Sequence, residues 1–144
     1  MGFKTHPNKK CEKAMLNSKQ LPLYHKSYLL IKYFYRLVKN FPKHYKYTLG
    51  QSMIDLSWQC LDLVLAANVL PNKDKYYKIL ELSAVFDKLK LRIRMTQEIG
   101  LISSKQFAHL QVNYIAAIGE MIGGWLKWAL NCRGGVIADL RLPI

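Results

Sequence analysis

A chain of 144 residues, 51% hydrophobic, carries 22 Lys and Arg against nine Asp and Glu, for a formal charge of +13. Length and apolar content fit one domain able to bury its own core, which excludes a mere basic tail. The charge favours encounter with polyanions but does not dictate a fold. No run reaches the roughly 18 uncharged apolar residues of a membrane span, because Asp55 and Asp62 interrupt the nearest stretch, Met53 to Leu70.

Residues 1–20 hold Lys4, Lys9, Lys10, Lys13 and Lys19 without a clear period. They read as a flexible basic arm, with a short helix conceivable only near Cys11 to Leu16. Four helices over residues 21–131 form the expected domain. Helix one, from about Leu23 to Phe41, places Tyr24, Tyr28, Ile31, Tyr35 and Val38 on one face. Leu30, Phe34, Leu37 and Phe41 widen that face, and Pro42 stops the helix.

Helix two, from about Leu49 to Leu70, takes Thr48 as its cap, with Gln51 completing a capping box. Met53, Ile54, Leu56, Trp58, Cys60, Leu61, Leu63, Val64 and Leu65 cover most of its circumference. A helix apolar nearly all round is buried on more than one side, which points to self-association. Asn72 is expected to cap helix three, from about Lys73 to Ile99, with Ile79, Leu82, Phe86, Leu89 and Ile93 as its core seam. Gly100 closes it in left-handed geometry.

Ser103 and Gln106 open helix four. Its seam (Phe107, Leu110, Tyr114, Ile118, Met121, Trp125 and Trp128) is heptad-like throughout. Gly119, Gly123 and Gly124 each cost about 1 kcal/mol in a helix interior, so another helix is expected to approach closely there. Gly119, Gly123 and Trp125 are therefore assigned to packing, and Gly123→Leu is expected to unfold or disassemble the protein. Residues 132–144 form a short tail. Connections near Pro42–Tyr47, Pro71–Asn72 and Gly100–Ser103 are too short for long crossovers. The expected fold is all-α, an antiparallel up-down-up-down four-helix bundle.

Enzyme signatures are absent: there is no GxGxxG, Walker loop or G-x-S-x-G. His6, His25, His44 and His109 lack a carboxylate at di-iron spacing. No enzyme activity, cofactor or metal is expected. Cys11, Cys60 and Cys132 lack paired spacing, so reduced thiols are expected, with Cys60 a small buried hydrophobe. The N-terminus carries no apolar signal core, so the expected location is cytoplasmic.

The positive charge is the stronger signal. Residues 1–50 hold eleven cations and one acid, Glu12. Lys32, Arg36, Lys39 and Lys43 recur at helical spacing, Lys46 extends them, and helix three adds Lys88, Lys90, Arg92 and Arg94. A charge run is often only a solvated face, but like charges this close repel, and helix one holds no acid to relieve them. A polyanion surface is expected, read through phosphates and therefore sensitive to salt. The tyrosines of helix one are expected on the core face, which leaves no base-stacking platform.

Particular strings carry a family resemblance. They are Leu21-Pro22-Leu23-Tyr24, Phe41-Pro42-Lys43, Tyr47-Thr48-Leu49-Gly50-Gln51, the Lys90 and Arg94 region, Glu98-Ile99-Gly100-Leu101-Ile102-Ser103, and Ile118-Gly119-Glu120-Met121-Ile122-Gly123-Gly124-Trp125. With them the chain resembles the accessory variability determinant (Avd) proteins of diversity-generating retroelements. That family lies within a wider group of bacterial four-helix proteins related to those of ribosomal RNA intervening sequences. The resemblance implies a non-catalytic protomer that assembles with itself into a basic, ring-like pentameric barrel. It implies as partners a reverse transcriptase and its template RNA, with the cDNA or RNA–DNA hybrid, in mutagenic cDNA synthesis. The alternative is a basic four-helix interaction module that binds an acidic protein. A membrane partner is not expected, since helix one has no exposed apolar face beyond its core seam.

Overall fold

The computed structural model describes residues 20–133, and these are helical throughout apart from their turns. The expected arm (1–20, save Gln20) and tail (132–144, save Cys132 and Arg133) lie outside the described residues. Helix α1 spans Gln20–Val38. Helix α2 opens with one turn at Lys43–Tyr45, passes through a π-helical stretch, Lys46–Gly50, and continues as Gln51–Asn68. A 3-10 turn, Asn72–Asp74, leads into α3, Lys75–Glu98. Helix α4 runs as Ser104–Leu110, π-helical Gln111–Ile115 and Ala116–Cys132.

Helix α1 packs on α2 and α4, and α3 packs on the same two, so α1 and α3 stand at diagonal corners of an antiparallel four-helix bundle. The core runs the length of the bundle and includes Phe34, Met53, Ile79, Leu82, Leu89, Ile93 and Leu110, none measurably exposed. No described helix is long and apolar enough to cross a membrane.

Several boundaries follow the expected chemistry. Ser103 Oγ accepts from the Gln106 amide at 3.0 Å while Gln106 Oε1 accepts from the Ser103 amide at 2.9 Å, a complete capping box. Gly100 sits at φ 86°, and the amides of Gly100 and Leu101 donate to the carbonyls of Gln97 and Thr96 at 3.1 and 2.8 Å. This is a Schellman closure, which needs a residue tolerant of left-handed geometry.

Other expectations are corrected. The segment Pro42–Tyr47 is not a loop, because helix α2 begins directly after Pro42, whose ψ of 146° makes it the N-cap. Thr48 lies inside the helix and its Oγ1 donates to the His44 carbonyl at 2.9 Å, while Gln51 turns to Asp55 at 2.9 Å. A hydroxyl that satisfies the preceding turn cannot also cap a helix start. Asn72 belongs to the 3-10 turn, and Asp74 holds the cap position of α3.

Helix two buries most of its apolar circumference within the protomer and leaves only a narrow apolar strip outside. Met53, Ile54, Cys60, Leu61, Leu63, Val64 and Ala67 are all buried inside the protomer, and the exposed apolar residues are Trp58, Leu65 and Val69. The glycine run is also reassigned. A side chain at Gly119 would meet only Phe86, at 3.6 Å, and one at Gly123 or Gly124 would meet nothing within 4 Å. Those two glycines face outward, so no contact among the described residues explains them. Trp125, by contrast, is buried as expected.

Cys60 is buried and free. Cys132 is disulfide-bonded, contrary to the expectation of reduced thiols. Burial pushes the Cys60 thiol up to about 12. Because the thiolate is the reactive form, Cys60 should alkylate roughly a thousand-fold more slowly at mildly alkaline pH than the same thiol in the unfolded chain. A time course of iodoacetamide labelling with and without denaturant checks this; equal rates would place the thiol at the surface.

Candidate nucleic-acid interface

Helix α1 is built from an apolar arc and a basic one. At 100° per residue, Leu23, Leu30, Ile31, Phe34, Leu37 and Val38 turn inward and are buried. Lys32, Arg36 and Lys39 fall together on the opposite side and are exposed. Helix α1 contains no Asp or Glu. Among the described residues the ion pairs are Lys78–Glu81 and Lys90–Asp87, each at 3.2 Å, so none engages an α1 cation.

The stripe bends rather than continuing on one rod. Helix α1 ends at Val38, whose carbonyl accepts from the Phe41 amide at 2.9 Å. Lys43 and Lys46 therefore sit on the first turns of α2, with Lys43 exposed and Lys46 half-buried. Antiparallel packing sets the C-terminal ends of α1 and α3 beside the N-terminal ends of α2 and α4. Arg36, Lys39, Lys43, Lys46, Arg92 and Arg94 thus gather toward one end of the bundle.

The four cations of α3 do not join the α1 stripe, since α3 stands diagonally across the bundle. They are also partly engaged. Arg92 Nε donates to Ser52 Oγ on α2 at 3.3 Å and its Nη1 to the Lys88 carbonyl at 3.4 Å. Lys90 pairs with Asp87 and lies 5.3 Å above the Phe86 ring. Lys88 and Arg94 are exposed on different sides of the helix. A periodic pattern of charge on α3 is therefore not a continuous face.

The tyrosines of α1 depart most from expectation. Tyr24, Tyr28 and Tyr35 are 37%, 43% and 51% exposed, so they border the basic stripe instead of opposing it. The expected seam mixed two edges: Ile31 and Val38 turn in, and the tyrosines on the same broad arc turn out. Lys32 Nζ lies 5.7 Å from the Tyr28 ring centre, and Tyr24 and Tyr28 lie nearly parallel, 6.5 Å apart. Trp58, itself exposed, donates from Nε1 to the Tyr35 hydroxyl at 3.0 Å and links this edge to α2. Only knowledge of where α2 docks distinguishes an outward tyrosine from a core one.

On the opposite edge of α1, Tyr33 stacks on Tyr114 at 5.3 Å and tilts against His109 at 5.4 Å, beside the π-helical turn of α4. Burial, and then Tyr114, push the Tyr33 phenol above its ordinary value, while Arg36 pulls it the other way. At the far end, Lys73, Asp74, Tyr76, Tyr77 and Arg133 line a cleft of about 330 Å³. There the Arg133 guanidinium lies 4.7 Å from the Tyr77 ring centre and 5.1 Å from that of Tyr76.

The residue that sequence reasoning missed altogether is Lys75. It is only 4% exposed, and its ammonium donates to the carbonyls of Ala67, Asn68 and Leu70 at 2.8, 2.9 and 2.7 Å. It satisfies the open C-terminal carbonyls of α2 and takes no part in a surface charge. Its one legible signal was its place after Pro71-Asn72, where a cation can reach back to the preceding helix end.

A family model described as bAvd-like matches residues 19–129. No curated protein and no solved structure matches the chain.

Proposed function

The chain belongs to the bAvd-like family, and from that premise we propose that it is a non-catalytic accessory protein of a diversity-generating retroelement. In this reading it binds the reverse transcriptase and its template RNA and supports mutagenic cDNA synthesis. Copies assemble into a pentameric ring, which multiplies each protomer's basic stripe so that weak contacts act together. The family match carries the reading. The acid-free basic helix α1, with none of its cations in an ion pair among the described residues, supports it.

Lys32, Arg36, Lys39, Lys43 and Lys46 are the proposed contacts on the α1–α2 corner. Lys88, Lys90, Arg92 and Arg94 are proposed as a separate, weaker set, because part of their hydrogen-bonding and charge is already used within the protomer. Arginines fork onto phosphate oxygens and lysines act as point charges.

Light scattering coupled to gel filtration tests the proposal, with and without a co-expressed reverse transcriptase and its RNA. The expected result is a ring that co-elutes with both and sheds RNA as salt rises. Reversing charge at Arg36 and Lys39 together should weaken RNA binding by at least about ten-fold at low salt, with helicity and mass unchanged. Retention of an acidic protein but not of RNA would replace the reading with a protein-interaction module. Loss of assembly in the charge-reversed variant would remove these residues from the contact set.

A further inference from the structure

Tyr24, Tyr28 and Tyr35 lie within about 40° of one another around α1, and Lys39, Lys32 and Arg36 occupy the adjoining arc of about 60°. The geometry points to a single-strand rail: we propose that unpaired bases stack on Tyr28, Tyr35 and Trp58 while Lys32, Arg36 and Lys39 hold the phosphates. This rests on the nucleic-acid reading above and adds to it a preference for single strands over duplex.

Three observations carry the assignment. Phenol and indole rings offer flat faces to any base, and their exposure here is too large for core residues. The rings are held in place: Trp58 is hydrogen-bonded to Tyr35, and Tyr24 and Tyr28 share an orientation. Fixed rings lose little freedom when a base stacks on them. The charges are also arranged on one side only. Asp55 and Asp62, about one turn to either side of Trp58, make the α2 edge unfavourable to phosphate. The strand is therefore oriented, with bases toward Trp58 and phosphates toward Lys32 and Lys39.

Along the axis, Tyr28 and Tyr35 are about 10 Å apart, a span that an extended strand covers with a nucleotide to spare. In a duplex the base faces are already stacked, so only the cations can act, and duplex binding depends on charge alone.

The test uses the full-length protein with two labelled probes, an oligouridylate and an RNA duplex of equal length. The double variant Tyr28→Leu/Tyr35→Leu keeps exposed bulk but removes the rings. Its binding to the single strand should fall by about ten-fold or more, with duplex affinity within about two-fold and the salt dependence unchanged. Wild-type tryptophan emission should be quenched by the single strand and much less so in Trp58→Phe. Equal weakening on both probes, or none on either, would overturn the rail while leaving charge-based binding in place. A changed mass of the double variant would overturn it too, by assigning the tyrosines to contact between copies. If the wild type binds neither probe, the nucleic-acid reading itself falls.

Discussion

Gly50→Leu should destabilise the protein by about 3–4 kcal/mol, a large share of the 5–15 kcal/mol typical of a domain. A Cβ at Gly50 would stand 2.5 Å from Val38 Cγ1, with Phe41 Cδ2 and the Tyr45 carbonyl each at 3.3 Å. Val38 is β-branched and stiff at χ1, and the carbonyl belongs to the backbone, so neither can yield cheaply. The site is the inside of the α1–α2 corner, where the chain reverses within a few residues and the helices must nearly touch. Gly50→Ala should cost less, because alanine's helix preference of about 1 kcal/mol offsets part of the overlap. Gly123→Ala is the control: with nothing within 4 Å, it should stabilise the protomer by about 0.5–1 kcal/mol. Urea denaturation of the three variants decides the matter. A Gly50→Leu protein as stable as wild type would show that the corner can open.

Lys75→Met should destabilise by about 3 kcal/mol at neutral pH. Three carbonyls at the end of α2 would lose their donor in a place that water reaches poorly. For a chain of this size that is a fall in Tm of roughly 6–12 °C. The pH dependence has a definite sign. Burial lowers the Lys75 ammonium pKa below its ordinary value, so the folded protein releases that proton before the unfolded chain does. Between the lowered folded value and the ordinary one, the unfolded state binds more protons, and this lysine's contribution rises with pH. The gap between wild type and Lys75→Met should therefore widen in mildly alkaline solution. Equal stability of the two proteins across neutral and alkaline pH would mean that water already serves those carbonyls.

Much of the bundle was legible because its signals are local. Ser103 with Gln106 and Gly100 after Glu98 each act through backbone groups within a few residues. The seam of helix three gave five buried core residues, whereas in helix four only Leu110, Ile118 and Trp125 of the expected seam are buried and Ile115, Ile122 and Ala129 complete the core face. Helix one has a broad arc, and there the same arithmetic put Tyr24, Tyr28 and Tyr35 on the wrong side. Thr48 and Gln51 formed a valid capping pattern that failed because Pro42 had already started the helix. The glycines of helix four were read as a packing device, but within the protomer the close approach among the described residues lies at Gly50.

The sequence by itself determined the all-helical class, the family, the net charge and the absence of acids from α1. The family rests on particular strings of residues, and the others are properties of composition and of short-range spacing, which no neighbour can alter. Tertiary structure alone decided that α1 and α3 stand diagonally, so that the cations of the α1–α2 corner and those of α3 form two surfaces and not one. It also turned the tyrosines outward beside the lysines and drew Lys75 away from the surface count into the end of α2. Those outcomes depend on which flank of a helix its partners cover. That is set by contacts between residues distant in sequence, and a helical period does not encode it.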